Sequence, residues 1–184
     1  SYPREQMGGA ENQALLLAQG LAARGHGVTF LATRSISEEE FLDSGVLVRK
    51  LSGLGNGDAG TKRRLIGELT SEGTFDLVYV RDFGQLAVVS GIVEPRSTPL
   101  VSMTCHRTEA DPLYFQPSLR NLWQSFTQSL AHYRSFEAIE RSAIHVCLTQ
   151  VLSKAVRRWH PKQDIRVVYN GTPLPQDCDL STHR

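Results

Sequence analysis

The chain has 184 residues, 40% of them hydrophobic and 21% charged, with 20 Lys+Arg against 19 Asp+Glu. That composition suits one soluble globular domain large enough to bury a core. A formal net charge of +1 gives no electrostatic case for nucleic acid, because phosphate binding needs a concentrated basic surface.

Ser1 to Gly9 is polar and turn-like, with Pro3 and the pair Gly8-Gly9. From Ala10, Leu15, Leu16, Ala18, Leu21 and Ala22 recur at helical spacing, Glu11 sits in the first turn, and Arg24-Gly25 closes the helix. Val28 to Ala32 (VTFLA) reads as a buried strand. Val46 to Leu51 is a weaker strand, interrupted by Arg49 and Lys50, and a Gly-rich loop leads from it to a polar helix over Thr61 to Ser71. Asp76 to Val80 (DLVYV) is a second strong strand, Gly84 to Ile92 a short helix, and Leu100 to Thr104 (LVSMT) a third strand ending at Cys105-His106. A long helix is expected from Ser118 to Ser142, with Leu119, Leu122, Trp123, Phe126, Leu130 and Tyr133 on one stripe. That stripe reads as core-facing, although the same period would suit a membrane surface or a partner's groove. Ile144 to Leu148 (IHVCL), a helix over Gln150 to Trp159, and Ile165 to Tyr169 (IRVVY) complete the order; after Pro173 the chain is a polar linker or tail.

Short apolar strands alternating with longer helices indicate an α/β fold, a three-layer, Rossmann-like, doubly wound parallel sheet. Such a sheet normally opens with a central strand, whereas this chain opens with a helix. A strand upstream of Ser1 is therefore expected, lying between the strands at 28–32 and 76–80. No run of residues approaches 18 uncharged apolar positions, so no membrane span is expected, and no basic-then-apolar leader is visible. Three cysteines (Cys105, Cys147, Cys178) without CxxC spacing argue against a disulfide framework or a zinc knuckle and fit a reducing compartment.

Three constellations carry candidate chemistry. Gly8-Gly9 before a helix N-terminus is either a flexible turn or a place where an anion can approach backbone N–H groups. His106, just past a central strand, is placed either to meet a ligand at the carboxyl edge of the sheet or to satisfy local backbone. Gly55-Asn56-Gly57-Asp58-Ala59-Gly60 matches GxGxxG, with Asp82 22 residues after Gly60. The charged strand before that loop favours a solvated connection over a dinucleotide site. His26, in the turn Gly25-His26-Gly27, and His145, within a strand, read as structural. Asn170-Gly171-Thr172 matches a glycosylation acceptor but reads as a turn closing the last strand.

Several pieces occur in a telling order: Gly8-Gly9-Ala10-Glu11, then LLLAQGLAARGHGVTFLATR (Leu15 to Arg34), FDLVYVRD (Phe75 to Asp82) and PLVSMTCHRTE (Pro99 to Glu109). The run from Phe136 through CLTQVLSKAVRR to VVYNGTPL (Val167 to Leu174) completes it. Over about 170 residues the chain resembles the N-terminal domain of a GT-B glycosyltransferase of the retaining, family-4 type.

The resemblance implies transfer of a sugar from a nucleotide-sugar to an acceptor with retention at the anomeric carbon, without metal or other cofactor. Gly8 and Gly9 would approach the donor diphosphate and sugar, and His106 would lie beside the transferred sugar as the catalytic residue. Arg81, Asp82, Arg107 and Glu109 would line the acceptor pocket, and Asn170-Gly171 would form the turn before the interdomain linker. Residues 1–174 would be the acceptor-side domain and 175–184 linker or tail. The family's first strand is missing from these residues, as is its donor-binding domain with a Glu-x7-Glu pair; no two glutamates here stand eight apart. Expected partners are therefore the donor, an acceptor, and a donor-binding second domain or subunit. The setting would be the cytoplasm, or the inner face of a membrane through weak peripheral contact. Two other readings stay open, a nicotinamide-dinucleotide-binding oxidoreductase domain and a non-catalytic binding subunit on the same fold.

Overall fold

Helix α1 (Gly9–Ala22) turns Leu15, Ala18 and Ala22 toward the sheet. It ends in a motif that dictates its exit: the N–H of Gly25 donates to Ala22 O (2.9 Å) and that of His26 to Leu21 O (3.3 Å). Gly25 holds φ +89° there, a conformation that a side chain would strain. The computed structural model describes residues 9–35, 38–52, 59–71, 75–81, 83–96, 98–110, 130 and 132–169.

Strand β1 (Val28–Ser35) pairs in parallel with β3 (Val46–Ser52), and β2 (Glu39–Asp43) pairs antiparallel with β3. Strand β2 was not expected from the sequence. It joins β3 through Ser44-Gly45, both at positive φ (51° and 82°), the geometry of a two-residue hairpin turn. Its register sets Glu40 opposite Arg49 and Glu39 opposite Lys50, and both pairs are ionic. Arg49 also reaches Glu68 of α2 (Ala59–Ser71) at 3.0 Å. The charges that seemed to weaken this strand are thus held by carboxylates on both sides.

The second sheet has the order β4-β5-β6-β7, all parallel: β4 (Val78–Val80), β5 (Leu100–Thr104), β6 (Ile144–Cys147) and β7 (Ile165–Val167). The six expected strands thus fall into two sheets, and β1 and β4 do not pair with each other. Helix α3 (Leu86–Val93) links β4 to β5 and is largely buried. The four-residue α4 (Arg107–Ala110) follows β5. Helix α5 (Gln150–Trp159) is started by Thr149, whose Oγ1 accepts from the Leu152 N–H at 3.2 Å.

Of the expected long helix, residues 132–137 are helical and Ala138–Arg141 form a 3-10 turn. Leu130 and Tyr133 are exposed, and Phe136 and Ile139 make the buried contacts instead. The expected stripe is therefore out of phase at this end, and Leu119, Leu122, Trp123 and Phe126 lie outside the described residues. The last strand stops at Val167; Val168 and Tyr169 are exposed.

Strand β1 is packed on both faces, as a doubly wound fold demands. Val28, Phe30 and Ala32 of β1 pack with α1 residues, while Leu31, pointing the other way, joins the main core containing Leu65 and Leu69 of α2. That core extends through Leu86, Leu100, Ile139, Cys147 and Val156.

A polar chain runs through it. His145 of β6 is 0% exposed; its Nδ1 lies 2.7 Å from Ser102 Oγ and its Nε2 2.8 Å from Thr104 Oγ1. Ser102 Oγ also meets Ser142 Oγ at 2.6 Å. Burial, with a smaller push from His160, lowers the His145 pKa to about 4. The unfolded chain therefore takes up the proton first as the medium is acidified. Stability from this site is whole above about pH 6.5 and is lost as pH falls toward 4, by about 3 kcal/mol in all. We expect His145→Leu to cost about 2–4 kcal/mol at pH 7, since it orphans two buried hydroxyl contacts. The same variant should flatten the acid slope between pH 6.5 and 4; urea unfolding at pH 7.0 and 4.5 measures both.

Candidate functional site

Strands β4 and β5 are parallel neighbours, so the residues that follow them emerge side by side at the carboxyl edge of the sheet. Arg81 follows β4 directly, and Cys105-His106 follow β5. The positive charge of Arg81 acts on the Cys105 thiol across this edge.

Glu109 closes the turn. Its Oε2 accepts from the backbone N–H of Cys105 (2.7 Å) and of His106 (3.1 Å), while its own N–H donates to His106 O at 3.1 Å. This is a glutamate three residues into a helix reaching back over the helix start. Just before it, Thr104 is buried and tied to His145. The backbone from Thr104 to His106 is therefore fixed at every residue, and the His106 side chain stands exposed at its tip.

Burial pushes the Cys105 thiol up to about 11; Arg81 works against that rise and Glu109 adds to it. A neutral thiol is a poor nucleophile, so Cys105 serves packing at this edge. Tyr79 beneath it donates to Met103 Sδ at 2.7 Å, and its phenol is pushed up to about 12 by burial.

The sequence-derived candidates divide cleanly. Arg81, His106 and Glu109 come together at one edge, and Arg107 opens α4 beside them. Gly9 begins α1, which doubles back through a short turn into β1, so Gly9 lies toward the carboxyl edge of β1. Gly8, Asp82, Asn170 and Gly171 lie outside the described residues. Gly60 falls within α2, and Gly55 to Asp58 lie outside the described residues. Sequence reasoning missed the Ser102–His145–Thr104 bridge beneath the site. Its signal was the alternation of small polar residues in LVSMT opposite a histidine in IHVC. Among the described residues no group of three or more His, Cys, Asp or Glu is arranged to hold a metal ion. No helix among them is long and apolar enough to cross a membrane.

The family model for Glycosyltransferase Family 4 matches residues 7–175, nearly the whole chain. The chain belongs to glycosyltransferase family 4. A search of curated proteins gives no significant match. The matched span takes in every strand and helix described above, together with the turn that carries His106. This family-4 domain is thus an α/β fold whose strand ends present Arg81, His106 and Glu109 at one edge.

Because the thiol is held up, we expect Cys105 to alkylate with iodoacetamide at pH 7.5 at least about tenfold more slowly than cysteine in an unstructured peptide. Mass-spectrometric labelling of the folded chain reads this directly, with urea-unfolded chain as the fast reference.

Proposed function

We propose that this family-4 domain is the acceptor-side half of a GT-B glycosyltransferase, moving a sugar from a nucleotide-sugar to an acceptor with retention at the anomeric carbon. One observation supports the reading above all: an exposed imidazole on a fixed turn at the carboxyl end of a central strand, in a chain of this family. Open parallel sheets bind their ligands at that edge.

In this reading His106 lies beside the transferred sugar and holds one of its hydroxyls by hydrogen bonding. It is not a nucleophile. Positive charge develops on the sugar ring as the leaving group departs, so the productive imidazole is the uncharged one. The Gly8-Gly9 loop approaches the donor diphosphate, with the N–H groups at the start of α1 facing it. Arg81, Asp82 and Arg107 form the rim toward the acceptor, with Glu109 beside them on the turn, and Asn170-Gly171 turns the chain into the linker. A donor-binding domain or subunit takes most of the nucleotide, no metal takes part, and the reaction runs in the cytoplasm or at the inner face of a membrane.

His106→Ala in the joined enzyme should lower the turnover number by roughly 10²-fold, the scale of one positioned catalytic group. His26→Ala is the control, since His26 serves the helix-closing turn through its backbone. Steady-state transfer assays on both variants test the reading, and full activity of His106→Ala would overturn it. Transfer also needs donor and acceptor held together in a near-attack arrangement. The 184-residue chain alone is therefore expected to release no nucleotide from a panel of nucleotide-sugars, and to do so once a donor-binding half is supplied.

A further inference from the structure

We infer that Glu109 is a positioning residue that sets the His106 imidazole through the backbone, and that it is not an acceptor ligand. The inference rests on the reading of His106 given above and adds a function for the carboxylate beside it.

Three features carry it. Oε2 of Glu109 is engaged by two consecutive backbone N–H groups, those of Cys105 at 2.7 Å and His106 at 3.1 Å. A carboxylate oxygen held by two such donors is directed along the backbone. Second, the two amides belong to the residue bearing the imidazole and to the one before it, and the Glu109 N–H returns a bond to His106 O at 3.1 Å. The peptide groups on both sides of the His106 Cα are therefore fixed by one residue, which limits where its side chain can swing. Third, the turn has no slack upstream: Thr104 is buried with its hydroxyl 2.8 Å from His145 Nε2. Glu109 is the outer pin of a segment whose inner pin is Thr104.

A residue acting this way leaves a signature that a substrate contact would not. In the 184-residue chain, amide hydrogen exchange at Cys105 and His106 should accelerate at least about tenfold in Glu109→Ala. Exchange at His145 should stay as it is, and Glu109→Gln should show little change because its amide oxygen can accept the same two bonds. In the joined transferase, Glu109→Ala should lower kcat several-fold with the acceptor KM nearly unchanged, and Glu109→Gln should recover most of the loss. Combined with His106→Ala, Glu109→Ala should add almost nothing further.

Unchanged exchange at Cys105 and His106 would overturn the pinning. A raised acceptor KM in both Glu109 variants would make the carboxylate a substrate contact, and additive losses in the double variant would overturn the route through His106. If His106→Ala itself kept full activity, the functional role would fall with the reading beneath it. The exchange result would then still report whether Glu109 holds the turn, so the two failures are distinguishable.

Discussion

One buried imidazole holds the carboxyl edge of β5 in register. Ser102 and Thr104 are two residues apart on β5 and so project to the same face, where the ring of His145 reaches both. Backbone ladders fix which residues of β5 and β6 stand opposite each other, with Ser102 beside His145 and Thr104 beside Cys147. The side-chain bridge adds a direction to the last residue of the strand, where the ladder ends. A ring accepting at one nitrogen and donating at the other satisfies both hydroxyls without carrying charge into the core. Protonation would break that pattern as well as bury a charge, since both nitrogens would then donate. The network continues outward, from Ser102 to the hydroxyl of Ser142 and from the Ser142 carbonyl to the Gln163 amide at 2.6 Å. The start of β6 and the approach to β7 are therefore tied to the same point.

Most of the fold was legible because apolar runs of strand length alternate with helical periods, and that pattern survives without knowledge of tertiary contacts. The exception is instructive. Arg49 and Lys50 looked like faults in a strand, because a lone strand with two cations on it cannot be central. Their partners, Glu40 and Glu39, lie just upstream in a stretch too acidic to read as a strand. The two-residue turn Ser44-Gly45 brings them into register. The Ser-Gly pair was the available signal for a hairpin. What the sequence could not display is that the opposing charges would cancel across the ladder, since each segment taken singly looks unfit for a sheet. The phase of the long helix failed for a related reason: which side of a helix is inward depends on neighbours, and Phe136 and Ile139 win that position over Leu130 and Tyr133.

The candidate site was half legible. His106 could be found because the apolar run LVSMT stops two residues before it, and strand ends in such sheets face ligands. Arg81 follows β4 by the same logic. The function of Glu109 was harder to see. The family resemblance implied an acceptor contact for it, yet its spacing of three from His106 is that of a cap on the turn. Local spacing of this kind is readable, but only once the helix start is known, and a four-residue helix gives no periodicity to locate it. The bridge through His145 left only a faint signal, small polar residues in LVSMT and a histidine in IHVC, with nothing to pair them. Its partners are more than forty residues away along the chain, brought together by a crossover whose register no local pattern reveals.

Charge at the rim follows from the same arrangement. A free carboxylate at this edge would oppose the approach of a negatively charged diphosphate, the group that a nucleotide-sugar would bring. Oε2 of Glu109 is turned to the backbone instead, where it accepts from the N–H groups of Cys105 and His106. That oxygen serves the turn. The His106 side chain stands exposed, carried on a backbone that has already lost its freedom during folding. A side chain presented in this way gives up little further entropy when it meets a ligand. The buried His145 and the half-buried Glu109 thus act toward one end: they make the position of a single exposed imidazole a property of the fold, set before any substrate arrives.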